Sequence, residues 1–222
     1  LDLLAVNYVA WAPEKDPPCP IGKRRTYCHP KYYEGLPNEL YHNNGDGTFT
    51  NTSVSSGIAS HIGKGMGLAF LDYDLDGKLD VFVANDTVPN FLFHNEGEGR
   101  FREVGLQAGV AFNEDGRALS SLAVSAADID TDGREASVVV ANASETFPLF
   151  RNLGKGLMMD VTYPSGIGRQ TIAATGWSNG IYDYNNDGQK DLFAACSAID
   201  DNTEMFSNRK SKQPNRVLAR GP

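Results

Sequence analysis

Nothing in these 222 residues forms a long apolar run of the kind that spans a bilayer, and no stretch keeps the 3.6-residue apolar rhythm of an amphipathic helix. The first absence argues against membrane insertion, the second against a helical bundle. Basic residues are also short, 20 against 28 acidic, and the net charge of -8 argues against a nucleic-acid partner. Cysteine is scarce: three residues permit at most one intrachain disulfide, for which the closely spaced Cys19 and Cys28 are the candidates, and such a bond implies an oxidising compartment. No secretory leader is visible, but a chain that starts inside a repeat could not show one. What is plentiful is glycine (23), proline (11) and aromatic residues (10%), the composition of a turn-rich, all-β chain.

The chain repeats itself. A small apolar strand, GMGLAFLDYD, is echoed by SLAVSAADID and GWSNGIYDYN. An acidic loop follows each (DLDGKLD, DTDGREA, NNDGQKD), then a strand (VFVAN, VVVAN, LFAAC) and a hairpin (LFHNEGEGRF, LFRNLGKGLM). LDLLAVN and LYHNNGDGTF read as the remains of a first unit lacking its head. Asp72, Asp128 and Asp183 step by 56 and 55 residues, while Asn43, Asn95, Asn152 and Asn208 step by 52, 57 and 56. Each period holds about four short strands, the content of one propeller blade, and strands apolar on both faces suit a sheet between two neighbours. The expected fold is a fragment of about four blades of a larger ring, spanning residues 1–222 with its ends cut inside blades. A self-closed four-bladed ring is the alternative.

The acidic loops carry the chemistry. Ten of the 28 acidic residues are aspartates of these three loops, where they repel one another unless a cation intervenes. Asp72, Asp74, Asp76 and Asp80 occupy positions 1, 3, 5 and 9 of one loop, with Gly77 at position 6 for the sharp turn and the Lys78 carbonyl as a further oxygen. Asp183, Asn185, Asp187, Gln189 (by its carbonyl) and Asp191 repeat the set. The middle loop offers Asp128, Asp130, Asp132 and the Arg134 carbonyl, but Ala136 stands at position 9, with Glu135 one place early and one extra residue before VVVAN. Weaker binding, or ligation by a shifted Glu135, is expected there. Hard oxygen donors in a loose loop favour Ca²⁺ over Mg²⁺. A lone DxDxDG is often only a polar turn; three copies in register argue for metal, held between strands rather than between helices.

These loops, the LFVAN-like strands and the LYHNxGDGTF-like hairpins resemble the FG-GAP/VCBS repeats of integrin-type propellers, and most closely the ASPIC/UnbV group. The resemblance covers the chain outside Val9 to Glu39. It implies a β-propeller with integrin-alpha-like calcium loops in a secreted, cell-surface or periplasmic protein, engaged in adhesion or in binding extracellular protein or glycan.

Other signals rank lower. GWSNG matches a nucleophile elbow, yet another acidic loop follows it instead of a helix, so Ser178 is not read as catalytic. With no acid–base cluster outside the acidic loops, no catalytic residue is assigned and the chain is read as a non-enzyme. The alternative is an accessory module of a secreted polysaccharide lyase or hydrolase. His42 and His94 share a hairpin position with Arg151 and Ser207 and read as exposed. Asn51, Asn85 and Asn142 are sequons, the last two coinciding with the repeated strand-end asparagine. Residues 9–39 form an insertion in the first unit, 26 residues longer than its counterparts. Its Lys23, Arg24, Arg25, Tyr27, Tyr32 and Tyr33 make a basic, aromatic candidate partner surface.

Overall fold

The Asp80–Asn85 strand, DVFVAN, has no solvent-exposed residue at all. Its alternate side chains therefore enter two different cores. Val81 and Val83 pack with Ile58 and Phe93 on one side, with Leu4, Val6 and Leu40 of the first unit against them. Phe82 and Ala84 face the other way, into a core shared with Val124, Val139, Phe150 and Met158 of the third unit. Phe82 and Phe150 meet across this junction with ring centroids 6.2 Å apart. The structure, a computed structural model, describes residues 1–21, 24–141, 145–200, 203–205 and 207–219, with Ile21, Arg24, Arg25, Val138 and Val140 described by backbone alone.

The chain is mostly β and forms a series of small antiparallel sheets, one per repeat. The first holds Leu3–Ala5, Glu39–Asn43 and Phe49–Asn51; the second Gly65–Leu71, Asp80–Asn85, Phe91–Gly97 and Arg100–Glu103. The third holds Ser121–Ala127, Ala136–Ala141, Leu149–Gly154 and Leu157–Asp160, and the fourth Gly176–Tyr182, Asp191–Cys196 and Arg216–Leu218. Opening strands of successive sheets lie side by side, Gly65–Leu71 against Ser121–Ala127 and that strand against Gly176–Tyr182. A Cβ on Gly67 would lie 2.8 Å from Ala123 Cα, so only glycine permits this approach. The same register shift recurs in all three opening strands, at Met66, Leu122 and Trp177. Ser178 thus lies inside a strand, opposite Ala195, and not on a strand-to-helix turn.

After each of the first three sheets a short helical turn, Ile58–Ser60, Gly105–Ala108 or Ile167–Thr171, plugs one buried apolar residue into the junction with the next unit.

Two register readings from the sequence are corrected. In the fourth unit Leu218 pairs with Leu192 as Phe93 pairs with Val81, so Ala219, not Ser207, stands at the hairpin position of His94 and Arg151. The Asn208 step is therefore not a repeat step; the connection from Cys196 to Arg216 is simply long. In the third unit Ala141 pairs with Ser121 as Asn85 pairs with Gly65, so Ala141 is the strand-end equivalent; Asn142 lies outside the described residues.

The insertion carries the Cys19–Cys28 disulfide, with Cα atoms 5.3 Å apart. It includes the 3-10 turns Pro13–Lys15 and Pro30–Tyr32 and a ribbon pairing Pro20–Ile21 with Arg24–Arg25. Lys23 lies outside the described residues.

Truncating Phe82 empties the core between the second and third units. Phe82→Ala is expected to cost roughly 3–5 kcal/mol in urea unfolding; a loss below 1 kcal/mol would show that this junction is not load-sharing.

Candidate metal centre

The three acidic loops share one hydrogen-bond scaffold. The position-1 carboxylate accepts from two backbone N–H groups: Asp72 from Asp76 (3.1 Å) and Gly77 (2.9 Å), Asp128 from Asp132 (3.2 Å) and Gly133 (3.0 Å), Asp183 from Asp187 (3.0 Å) and Gly188 (2.8 Å). The position-5 carboxylates of Asp76, Asp132 and Asp187 accept from the N–H of Lys78, Arg134 and Gln189 at 2.8, 3.0 and 2.8 Å. Position 4 takes the left-handed conformation in each loop, at Leu75 (φ 66°), Thr131 (φ 59°) and Asn186 (φ 61°), and the glycine at position 6 does the same. A non-glycine residue in that region is strained, which marks the loop shape as imposed.

Position 9 ties the second-unit loop to its hairpin. Asp80 is fully buried; its Oδ1 accepts from Asn95 N–H (2.8 Å) and its Oδ2 from Tyr73 N–H (3.2 Å). Burial pushes its carboxyl above the usual range, against the pull of these donors and of His94. Asp2 of the first unit repeats the contact, accepting from Asn43 N–H at 2.8 Å, and Asp191 is buried in the fourth.

The carboxylates converge. One oxygen each from Asp72, Asp74 and Asp80 lie within 4.8 Å of one another, as do those of Asp128, Asp130 and Asp132, while His94 Nδ1 joins Asp74 and Asp76 in a third group. Carboxylate oxygens this close, on loops already shaped by backbone donors, fit a hard cation. The fourth loop differs: Asn185 replaces one carboxylate and its amide donates to Asp187 Oδ2 at 2.9 Å.

Hairpin residues reach the loops more closely than their pattern implied. His94 is mostly buried, with Nδ1 at 3.2 Å from Asp80 Oδ1 and 3.5 Å from Asp74 Oδ2. His42, exposed as expected, still touches Asp2 at 3.0 Å. Arg151 Nη2 lies 2.7 Å from Asp130 Oδ2 and 3.6 Å from Asp132 Oδ2. Lys78 pairs with Asp76 Oδ2, which holds that carboxyl below its usual range, and Arg134 Nη1 is 3.8 Å from Asp132. Glu135 turns away from its own loop: its Oε2 accepts from Asp72 N–H at 3.1 Å, linking the second and third units. Asn152 Nδ2 makes a second link, to Tyr73 O at 2.9 Å.

Asn85 is fully buried and its amide donates to Pro89 O at 2.7 Å, which leaves no access for a glycan. The insertion residues stand apart from the loops, Tyr27 and Tyr32 exposed, with Lys31 Nζ 5.1 Å from the Tyr32 ring centroid. Tyr33 is anchored through its hydroxyl to Asp16 at 2.5 Å.

A Cβ on Gly77 would meet nothing within 4 Å, so Gly77→Ala tests conformation alone. It is expected to lower unfolding free energy by about 1–2 kcal/mol in chelator, the cost of a left-handed L-residue. An unchanged urea midpoint would show that the loop relaxes out of that conformation.

Comparison with known proteins identifies part of the repeated chain. A family model described as an FG-GAP-like repeat matches residues 32–83 and 72–135. Cartilage acidic protein 1 of Homo sapiens is 38% identical over 74 residues, covering 32% of this chain and 11% of its own length. The Xenopus tropicalis protein of that name is 38% identical over 77 residues, covering 33% and 12%. The chain thus spans about a tenth of the length of the curated relatives it matches. Residues 32–135 thus carry FG-GAP-like repeats, and the chain has distant similarity to cartilage acidic protein 1.

Proposed function

We propose that this chain is a calcium-stabilised propeller module of about four blades that works by recognising an extracellular protein or glycan, without catalysing a reaction. The observation that carries the reading is the second-unit loop. Asp72, Asp74 and Asp80 bring three oxygens together there, and the loop's own cation, Lys78, pairs at the edge with Asp76. Four carboxylates against one ammonium leave an excess of three negative charges, of which a divalent ion offsets two. Calcium is favoured because the donors are all oxygens and because Asp76, the Lys78 carbonyl and solvent can extend the coordination to six or more. When bound, the ion neutralises the carboxylates and pins the turn between two strands. Asp183, Asn185, Asp187, the Gln189 carbonyl and Asp191 would hold a second ion in the fourth unit.

Adjacent opening strands in consecutive sheets support radial stacking of the units, with the remainder of a parent ring as a further partner. No described helix is long and apolar enough to cross a membrane. The disulfide favours an oxidising location, secreted, cell-surface or periplasmic. The insertion is the proposed contact surface: Tyr27 and Tyr32 present aromatic area, and Lys23, Arg24 and Arg25 belong to its tip in sequence.

Calcium titration by calorimetry, paired with thermal unfolding in calcium and in EDTA, tests the reading. A site with a dissociation constant of roughly 10⁻⁴ M stabilises the fold by about 2.7 kcal/mol at about 10 mM ion. Two such sites raise Tm by on the order of 10–20 °C. No heat of binding together with an unchanged Tm would reduce the acidic loops to turns.

A further inference from the structure

The third loop carries its cation within the chain. Ala136 pairs with Ala127 where Asp80 pairs with Leu71 and Asp191 with Tyr182, so no position-9 carboxylate is supplied. The extra residue before VVVAN does not shift a neighbour into the gap: pairing continues from Ala136 to Ala141 with the same bulge as the other units. Glu135, the one nearby substitute, is committed to Asp72 N–H of the preceding loop. Into this loop projects Arg151, from the hairpin position that His94 holds in the second unit and Ala219 in the fourth. Its guanidinium bridges the carboxylates at positions 3 and 5, and Arg134 approaches the second of them.

We propose that the Arg151 guanidinium is the resident cation of the Asp128–Asp132 loop, so that the third unit is held by a metal-independent copy of the metal-dependent junctions beside it. Three carboxylates face two guanidinium groups, leaving one negative charge. The second-unit loop would reach that same balance only after binding a divalent ion. Arginine suits the task because its charge is permanent and less strongly hydrated than an ammonium, and its Nη2 lies within reach of both carboxylates, at 2.7 and 3.6 Å. A calcium ion entering this loop would have to displace the guanidinium and would gain no ninth-position ligand in return. The inference rests on reading the second- and fourth-unit loops as calcium sites, and it predicts that chelation loosens those two turns while leaving the third in place.

Calorimetric titration of the 222-residue chain with calcium chloride is the test. Two ions are expected for the native sequence and three for the double variant Ala136→Asp/Arg151→His, which restores the second-unit side chains. A third ion in the native chain that disappears in Asp130→Asn overturns the proposal. If the native chain takes up no calcium, the reading of the other two loops fails by itself, and the role of Arg151 is then judged from melting in EDTA. There Arg151→Ala should lower Tm by roughly 2–4 °C. The comparison is Arg102→Ala, which removes an exposed ion pair with Glu96 of the same 2.7 Å length. Equal melting of the two variants overturns the proposal.

Discussion

A strand with no solvent face has to be covered from two directions, and Asp80–Asn85 makes that demand on the whole chain. A single repeat cannot meet it, because its own sheet is one layer thick. The first unit covers Val81 and Val83; the third covers Phe82 and Ala84. The third unit in turn needs the fourth, which supplies Ala194 and Cys196 against Ala141 and Phe147. Burial here is therefore a property of junctions rather than of units, as in other repeat proteins. The buried Cys196 thiol, held above its usual range by desolvation, is a small apolar core residue in this scheme.

Each acidic loop leads into the second strand of its unit, which in the second unit is buried on both faces, and that placement explains their design. A turn leaving a strand packed on both sides has little freedom to relax, so its shape can be imposed even where it is strained, as at Leu75, Thr131 and Asn186. Backbone N–H groups hold the carboxylates at positions 1 and 5 in place, which sets the oxygens before any cation arrives. Asn95 N–H on Asp80 fastens the loop to the hairpin, while Glu135 and Asn152 fasten it to the next unit. One cluster of like charges thus touches a strand, a hairpin and a neighbouring sheet. The hairpin residue aimed at each cluster, histidine in two units and arginine in another, sets how much of that charge the protein answers itself.

Much of this was legible in sequence because it depends on local rules. The 56- and 55-residue spacing of Asp72, Asp128 and Asp183, the alternation of apolar residues to two faces, and glycine at position 6 each have a local physical cause. What the sequence did not yield depends on contacts between strands. Aligning Ser207 and Asn208 with the hairpins misplaces the fourth unit, because a shared asparagine is weak evidence beside a ladder. A better marker was present: Pro37-Asn38, Pro89-Asn90 and Pro214-Asn215 each precede the third strand. The asparagine Oδ1 in these pairs accepts from the strand-end N–H of Asn7, Asn85 and Cys196 at 3.1, 3.0 and 3.0 Å. Glu135 was equally opaque, since its partner lies 63 residues away in the preceding loop.

The insertion obeys a different logic, being fastened at its base and free at its face. Val9 bridges Gly35, and Ala10 N–H donates to Glu34 O at 2.8 Å, closing the stem. Lys64, almost wholly buried, donates to Pro30 O at 2.7 Å, so an ammonium withdrawn from water is spent on holding this loop. Nearby, Tyr8 donates to Asp86 at 2.5 Å, joining the first unit to the second below the same loop, and burial raises the Asp86 carboxyl. Buried charges at a loop base oppose the fold unless each finds a partner, and here each has one. The disulfide closes the segment between Cys19 and Cys28, within which Tyr27 stands exposed. Rigid support under an exposed aromatic face lowers the ordering cost of any contact made there, which is why the insertion, rather than the repeat loops, carries the proposed recognition surface.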